Sequence, residues 1–492
     1  MTIASTLGQN ETQYATDDCL EEIINNTRAV RQDSEKNRFK LQVNNFLAEV
    51  ASGSLVISSD LIGSIEKRIA DIDKLMSEQL SLIMHATEFQ KIESAWTGLY
   101  KLVQSSVTEN VKYTVLHCTK KELLKDFKSA SDFDQSVLFK NIYESEYGTF
   151  GGTPYSAFVG DFYFDNTPQD IDLLEHISHV AASAHAPFLS AIAPGMLSMS
   201  SFSELPYPRD LAKLFETTDY ARWRSFRQTD DSRYVGLTLP QSLGRIPYGM
   251  KTIPAETFNF EEHISEDNSG KDYLWVNTAF ELACRIVDAF EEYGWCAAIR
   301  GVEGGGLVKS LPAYNYVSHT GERLLQCPTE VAISDRREKE LSDLGFIPLV
   351  YCKGTDFAAF FAVQSVNKAR LYNTDQANAN AKLSSQLQYI LATSRFAHYL
   401  KVIVRDKVGS FMSRTECQTY LQNWIMQYVV ASDSAGQDTK ARYPLREASV
   451  EVVEIPGSPG SYRAIAWIKP HFQLEGLSMS LRLVADLPSS VS

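Results

Sequence analysis

The 492 residues contain no C-x-x-C pair, no apolar run approaching the roughly 18 residues of a membrane span, and no excess of positive charge. Seven widely spread cysteines, Cys19, Cys118, Cys284, Cys296, Cys327, Cys352 and Cys417, argue for reduced thiols and against a disulfide framework or a structural zinc site. Lys+Arg 47 against Asp+Glu 61 gives a net charge of −14, which excludes a general affinity for phosphate backbones or anionic membranes. The opening residues lack both the basic and the apolar parts of a secretory signal, so the cytoplasm is the expected compartment. Apolar residues at 44% and charged residues at 22% match a folded soluble chain, long enough for about three domains.

The first hundred residues are patterned for helices. Thr16, Asp17 and Asp18 suit a helix start, and Leu20, Ile23 and Ile24 fall on one narrow face, with Glu21, Glu22, Asn25 and Asn26 around the rest. This stripe either docks on its own body or is presented to a partner in helix-in-groove fashion. Further helical patterns follow at Phe39 to Val50, Leu61 to Leu82 and Phe89 to Val103.

The character changes at Lys112. Residues 112–118 and 156–164 have the β-branched and aromatic content of strands; 167–186 is helical and 187–193 is strand-like again, a βαβ signature that implies a parallel pair. The pattern recurs in a helix over 277–293, closed by Gly294 and followed by a buried strand at 295–299. It recurs again in a helix from Ser334 to Leu344 before a strand at 346–351. Helices over 375–404 and 415–430 precede a polar stretch, 431–444, expected to be a linker, and then strands at 448–455, 462–469 and 477–487. The fold class is therefore mixed α/β (α+β): a helical N-terminal arm over 1–60, a helical and α/β body over 61–430, and a linker with C-terminal strands over 431–492.

Both faces of the hairpin at 448–469 carry apolar residues, so it wants cover on both sides. Two strands alone are marginal in water and expose two edges. The hairpin either docks on the chain's own sheet or accepts strands from other subunits.

Motifs for chemistry are weak. In Arg300 to Ser310 the glycines Gly304, Gly305 and Gly306 are separated from Lys309 by Leu307 and Val308, which breaks P-loop register. His176, His179 and His185 lie on or near one helix without an H-E-x-x-H pattern or a cysteine cluster. Two S-x-x-K matches, at Ser64 and Ser365, lack the companion motifs of acyl enzymes, and the Arg222 to Arg227 run of arginines and aromatics is followed at once by Asp230 and Asp231, which suggests internal pairing. No catalytic, metal or cofactor-binding residue is assigned. An α/β nucleotide-binding protein or enzyme using the loop near Gly304 stands as the alternative function.

Long segments carry a resemblance: residues 85–103, 150–164, 222–249, 275–306, 328–349 and 354–409 together look like the large subunit of the type VI secretion contractile sheath, the TssC/VipB group. The resemblance implies a non-enzymatic protein without cofactors. It implies pairing with a small sheath subunit, stacking of the heterodimers as a helical sleeve around a tube of hexameric rings on an envelope-anchored baseplate, and contraction that drives the tube into a target cell. It further implies disassembly by an AAA+ unfoldase, with no nucleic-acid partner and no direct membrane insertion. By the same resemblance the unfoldase contact falls on Leu20, Ile23 and Ile24, and the strands interlaced between protomers fall on Val450, Val452, Val453, Ile455, Ala464, Ile465, Trp467 and Ile468.

Overall fold

The computed structural model describes residues 40–41, 43–45, 61–207, 209–265, 270–317, 321, 323–407, 413–432, 434–454 and 462–471. Leu20, Ile23, Ile24 and Ile455 lie outside them. The chain divides into two compact units, one of residues 1–81 with 248–262 and the other of residues 82–247 with 263–492. In the first, helix α1 (Leu61–Met84) places Ser77 where its Oγ accepts from the Glu261 N–H at 3.3 Å, and the Tyr248 N–H donates to the Glu262 carboxylate at 2.9 Å.

The second unit opens with the helices α2 (Thr87–Ser105) and α3 (Lys120–Ser129), the latter held by a capping box between Thr119 and Glu122. A four-stranded parallel sheet follows, of β1 (Phe158–Phe164), β2 (Phe188–Ile192), β3 (Val235–Leu239) and β4 (Ile347–Pro348), in that spatial order. The crossover helix α4 (Pro168–Ala184) starts with the Thr167 side chain accepting from the Asp170 N–H and a proline in its first turn, both good helix initiators. The expected βαβ unit is thus present.

Every residue of β2 and β3 is buried, as strands covered on both faces require. On one face Phe188, Val235 and Leu237 meet Ile171, Leu174, Ile177 and Val180 of α4 and the aromatic pair Trp223 and Phe226 of α5 (Ala221–Gln228). On the other, Leu189 and Ile347 meet Leu282 and Ile286 of α6 (Thr278–Tyr293) and Leu387 and Leu391 of a later helix. Each fully buried aliphatic or aromatic side chain contributes roughly 1.5–3 kcal/mol, so these two layers dominate the cohesion of the unit. Gly98 marks how closely α2 lies on α6: a Cβ there would collide with the Phe280 ring.

Several segments depart from expectation. Residues 112–118 form no strand; Val115 and Leu116 are both exposed, and β propensity without a neighbouring ladder does not make a sheet. The run 295–299 is buried but irregular, since a short apolar run does not by itself distinguish strand from other buried backbone. Residues 346–351 switch sheets: Leu349 N–H still donates to Leu239 O at 2.8 Å, and then Val350 pairs with Ala359. Helix α7 (Asp335–Asp343) runs as expected. The long helix is two helices, α8 (Asp375–Ser384) and α9 (Leu387–Lys407), broken where Ser385 O accepts from Ser365 N–H and Leu387 N–H donates to Val363 O. After α10 (Arg414–Met426) the expected linker contains a short helix, Gln437–Arg442, before the antiparallel strands β5 (Leu445–Glu454) and β6 (Tyr462–Pro470).

Candidate assembly surface

The C-terminal hairpin pairs Val450 with Ala466, Val452 with Ala464, Ala448 with Ile468, Glu451 with Ile465 and Ser449 with Trp467. Because side chains alternate across a strand, this register sorts them into two faces. Ala448, Val450, Val452, Ala466 and Ile468 turn inward onto Phe396 of α9, Leu421 and Ile425 of α10, and Trp295, whose ring stacks on Phe396 at 4.1 Å. Val450 and Val452 are 3% and 2% exposed. The opposite face carries Glu451, Val453, Ile465 and Trp467, and it is open: Ile465 is 36% exposed and Trp467 54%.

The two edges of the hairpin differ as sharply as its faces. Along β5 the outer backbone groups are taken by glutamines from α10. Val450 N–H donates to Gln422 Oε1 at 2.7 Å, Gln422 Nε2 donates to Ala448 O at 3.3 Å, and Val452 N–H donates to Gln418 Oε1 at 3.3 Å. The Gln422 amide thus does for β5 what a peptide unit of a neighbouring strand would do. In an antiparallel pair, residues whose N–H groups face outward lie opposite residues whose N–H groups also face outward. The contact from Val450 therefore implies that Ala464, Ala466 and Ile468 turn their backbone groups to the far side of β6. Among the described residues this sheet has two strands only. One edge is closed by a helix, and among the described residues no strand pairs with the other.

The glutamines carry no mark in the sequence, since Gln418 and Gln422 are ordinary residues one turn apart on a helix. The alternation in 448–469 was visible, but which face and which edge would be covered depended on helices distant in the chain.

The other candidates resolve into structural roles. In the Gly-rich loop the Gly301 N–H donates to Phe360 O at 2.7 Å, the Gly306 N–H to Gly301 O at 2.8 Å and the Arg300 N–H to Gly304 O at 3.3 Å. These N–H groups, which a phosphate would need, are spent on closing the loop. Gly305, at φ +88, sits where a Cβ would strike Ala298 O, so tight turning explains the glycines. His176 stacks on Phe127 at 5.1 Å, His179 Nδ1 lies 2.7 Å from Asp231 and His185 Nδ1 lies 3.2 Å from the Tyr234 hydroxyl; the three face different partners. Among the described residues no group of His, Cys, Asp and Glu could hold a metal ion, and no helix is long and apolar enough to cross a membrane. Of the arginine run, Arg222 pairs with Asp172 at 2.5 Å, Arg224 donates to Phe215 O at 2.7 Å, and Arg227 donates to Val366 O and Asp343 O at 2.8 and 3.1 Å. The partners are internal, but the pairing with Asp230 and Asp231 suggested by their adjacency does not form: Asp230 pairs with Arg233 and Arg370, Asp231 contacts His179, and the run's arginines turn mainly to carbonyls. Burial pushes the Arg227 guanidinium down to about 10.

The parallel α/β core thus bears a hairpin covered on one face only, and its glycine loop is closed on itself. Comparison with known proteins specifies the class. Residues 66–367 match the EvpB/VC_A0108 tail sheath N-terminal domain and residues 376–487 the tail sheath gpW/gp25-like domain of the same family. The chain belongs to this VipB/TssC family of tail sheath proteins, the large sheath subunits of type VI secretion systems. It is 50% identical over 440 residues, 88% of each chain, to the type VI secretion system sheath protein TssC1 of Pseudomonas aeruginosa. Two solved structures align over 76% of this chain: the baseplate of the anti-feeding prophage (9% identity, 84% of that chain, TM-score 0.37) and its helical sheath in the contracted state (10% identity, 99% of that chain, TM-score 0.31).

Proposed function

We propose that this sheath subunit pairs with a small sheath subunit, and that the heterodimers join into a contractile sleeve through strands added at the free edge of β6. The half-closed hairpin carries this reading: its inner face is packed in cis on Phe396, Leu421 and Ile425, Gln422 blocks the β5 edge, and Ile465 and Trp467 stay exposed beside an edge with outward backbone groups. Val450, Val452, Val453, Ala464, Ile465, Trp467 and Ile468, together with Ile455 beyond the described residues, then form a sheet shared between protomers. Main-chain pairing keeps neighbours joined while their bodies rotate, and the work of contraction comes from the difference between two packings of the sleeve, with no fuel spent in this chain. The sleeve surrounds a hexameric inner tube on a baseplate in the bacterial cytoplasm. Leu20, Ile23 and Ile24 serve as the contact for an AAA+ unfoldase that takes spent sheath apart.

The test is Ala466→Pro. Proline there removes an outward N–H and leaves the β5–β6 ladder intact, a position at which sheets accept it. Co-expressed with the small subunit, the variant should unfold near the wild-type temperature and yield heterodimers without long tubes. Tubes of normal length would contradict strand addition at this edge.

A further inference from the structure

We infer that Gln418 and Gln422 of α10 set the specificity of sheath assembly: they plug the β5 edge, so that each hairpin takes a neighbour's strand along β6 alone. The inference rests on the sheath reading above and assigns residues to its selectivity. Helix and strand are matched in pitch. Four residues of α10 advance about 6 Å and two residues of β5 about 6.8 Å, so with the helix antiparallel to the strand Gln422 comes to rest at Val450 and Gln418 at Val452. Two successive outward N–H groups of β5 are thereby taken, at 2.7 and 3.3 Å, and Gln422 Nε2 takes the Ala448 carbonyl at 3.3 Å.

Packing alone does not call for glutamine here. The helix is already held against the inner face of the hairpin by Leu421 and Ile425, 1% and 0% exposed, whereas Gln418 and Gln422 are half-buried at its rim. A side-chain amide carries an acceptor and a donor together, which is what a strand edge requires. A carboxylate would turn negative charge on the Ala448 carbonyl, an ammonium would leave the N–H groups unpaired, and an apolar side chain would leave both kinds of group unpaired. A strand arriving at β5 must break these bonds and move α10 before it makes bonds of its own, so the exchange brings no gain. At β6 the balance differs. Among the described residues no side chain is hydrogen-bonded to Ala464, Ala466 or Ile468, and no third strand lies beside them. A hairpin with two free edges would join neighbours on both sides and branch, whereas a helical sleeve repeats one defined contact. The glutamines restrict the hairpin to accepting on one side.

The experiment uses the full chain co-expressed with the small sheath subunit, in the Ala466→Pro background that blocks the β6 edge. Ala466→Pro alone should give heterodimers. Adding Gln418→Ala and Gln422→Ala opens β5 and should raise the fraction of protein in larger assemblies at least tenfold, read by size-exclusion chromatography with light scattering and by electron microscopy. Adding Gln418→Ala alone, the milder change, should give an intermediate rise. Gly98→Ala added instead, which disturbs the α2–α6 contact and leaves both glutamines in place, should leave heterodimers. Heterodimers alone from either glutamine variant would overturn the inference while leaving the sheath reading standing, and so would equal assembly by the Gly98→Ala control, which would trace the effect to lost stability rather than to an opened edge. Tubes of normal length from Ala466→Pro alone would remove strand addition at β6 and this inference together.

Discussion

Replacing Gln422 by leucine isolates the device that closes the β5 edge. The wild-type amide accepts from Val450 N–H at 2.7 Å and donates to Ala448 O at 3.3 Å, in a place where Val450 is 3% exposed. Leucine keeps the bulk and removes both partners, so a buried N–H is left unpaired. Such a group costs about 1–3 kcal/mol, while the longer bond to Ala448 O adds little, and about 2 kcal/mol is the expected loss. Because the hairpin edge can open without global unfolding, the loss should appear first in the exchange of the Val450 amide, accelerated about 30-fold at 1.4 kcal/mol per decade. Gln422→Glu should lie between, since the carboxylate still accepts from Val450 N–H but faces Ala448 O with negative charge. Amide exchange resolved at single residues reads all three chains. Unchanged Val450 exchange in the leucine variant would show that the helix does not hold this edge, and the argument for a single free edge would fail with it.

Gly98→Ala should destabilise by about 1–3 kcal/mol, because the new methyl collides with the Phe280 ring in a packed helix contact; equilibrium denaturation measures it, and a neutral result would place α2 farther from α6 than described. The structure also predicts an acid-sensitive leg of stability. Burial pushes His398 down from 6.5 to about 4, helped by the neighbouring Arg395, His185 and Lys401 charges and opposed by its bond to Ala184 O. Below pH 6.5 the unfolded chain binds a proton that the folded chain refuses, so this contribution is complete above pH 6.5 and falls away towards pH 4, by about 2 kcal/mol at pH 5. Urea unfolding of wild type and His398→Gln at pH 7.5 and 5 should converge at the lower pH if this holds, and run parallel if it does not.

Local patterns were legible where local physics decides them. The crossover α4, with its Thr167 cap and proline start, and α6, closed by Gly294 at φ +78, occupy the residues their periodicity indicates. What escaped depends on distant partners. Residues 112–118 have strand composition without a strand beside them, and the break between α8 and α9 arises because the 363–365 segment docks on Ser385 and Leu387. At the hairpin the alternation of 448–469 was plain, yet the asymmetry of its edges comes from Gln418 and Gln422, whose role exists only when α10 lies against β5. The glycine loop shows the converse. Its register already spoke against a phosphate site, and the closure of Gly301, Gly304 and Gly306 on Phe360 and Arg300 gives the physical reason.

The central claim is that the hairpin is completed by other chains in a sheath. Electron microscopy of the chain co-expressed with its small sheath partner tests it most directly, with a second sample carrying Ile465→Asp and Trp467→Asp on the open face. The account predicts regular hollow cogwheel tubes for wild type and soluble heterodimers for the variant. Full-length tubes from the variant, or soluble heterodimers alone from wild type, would contradict it.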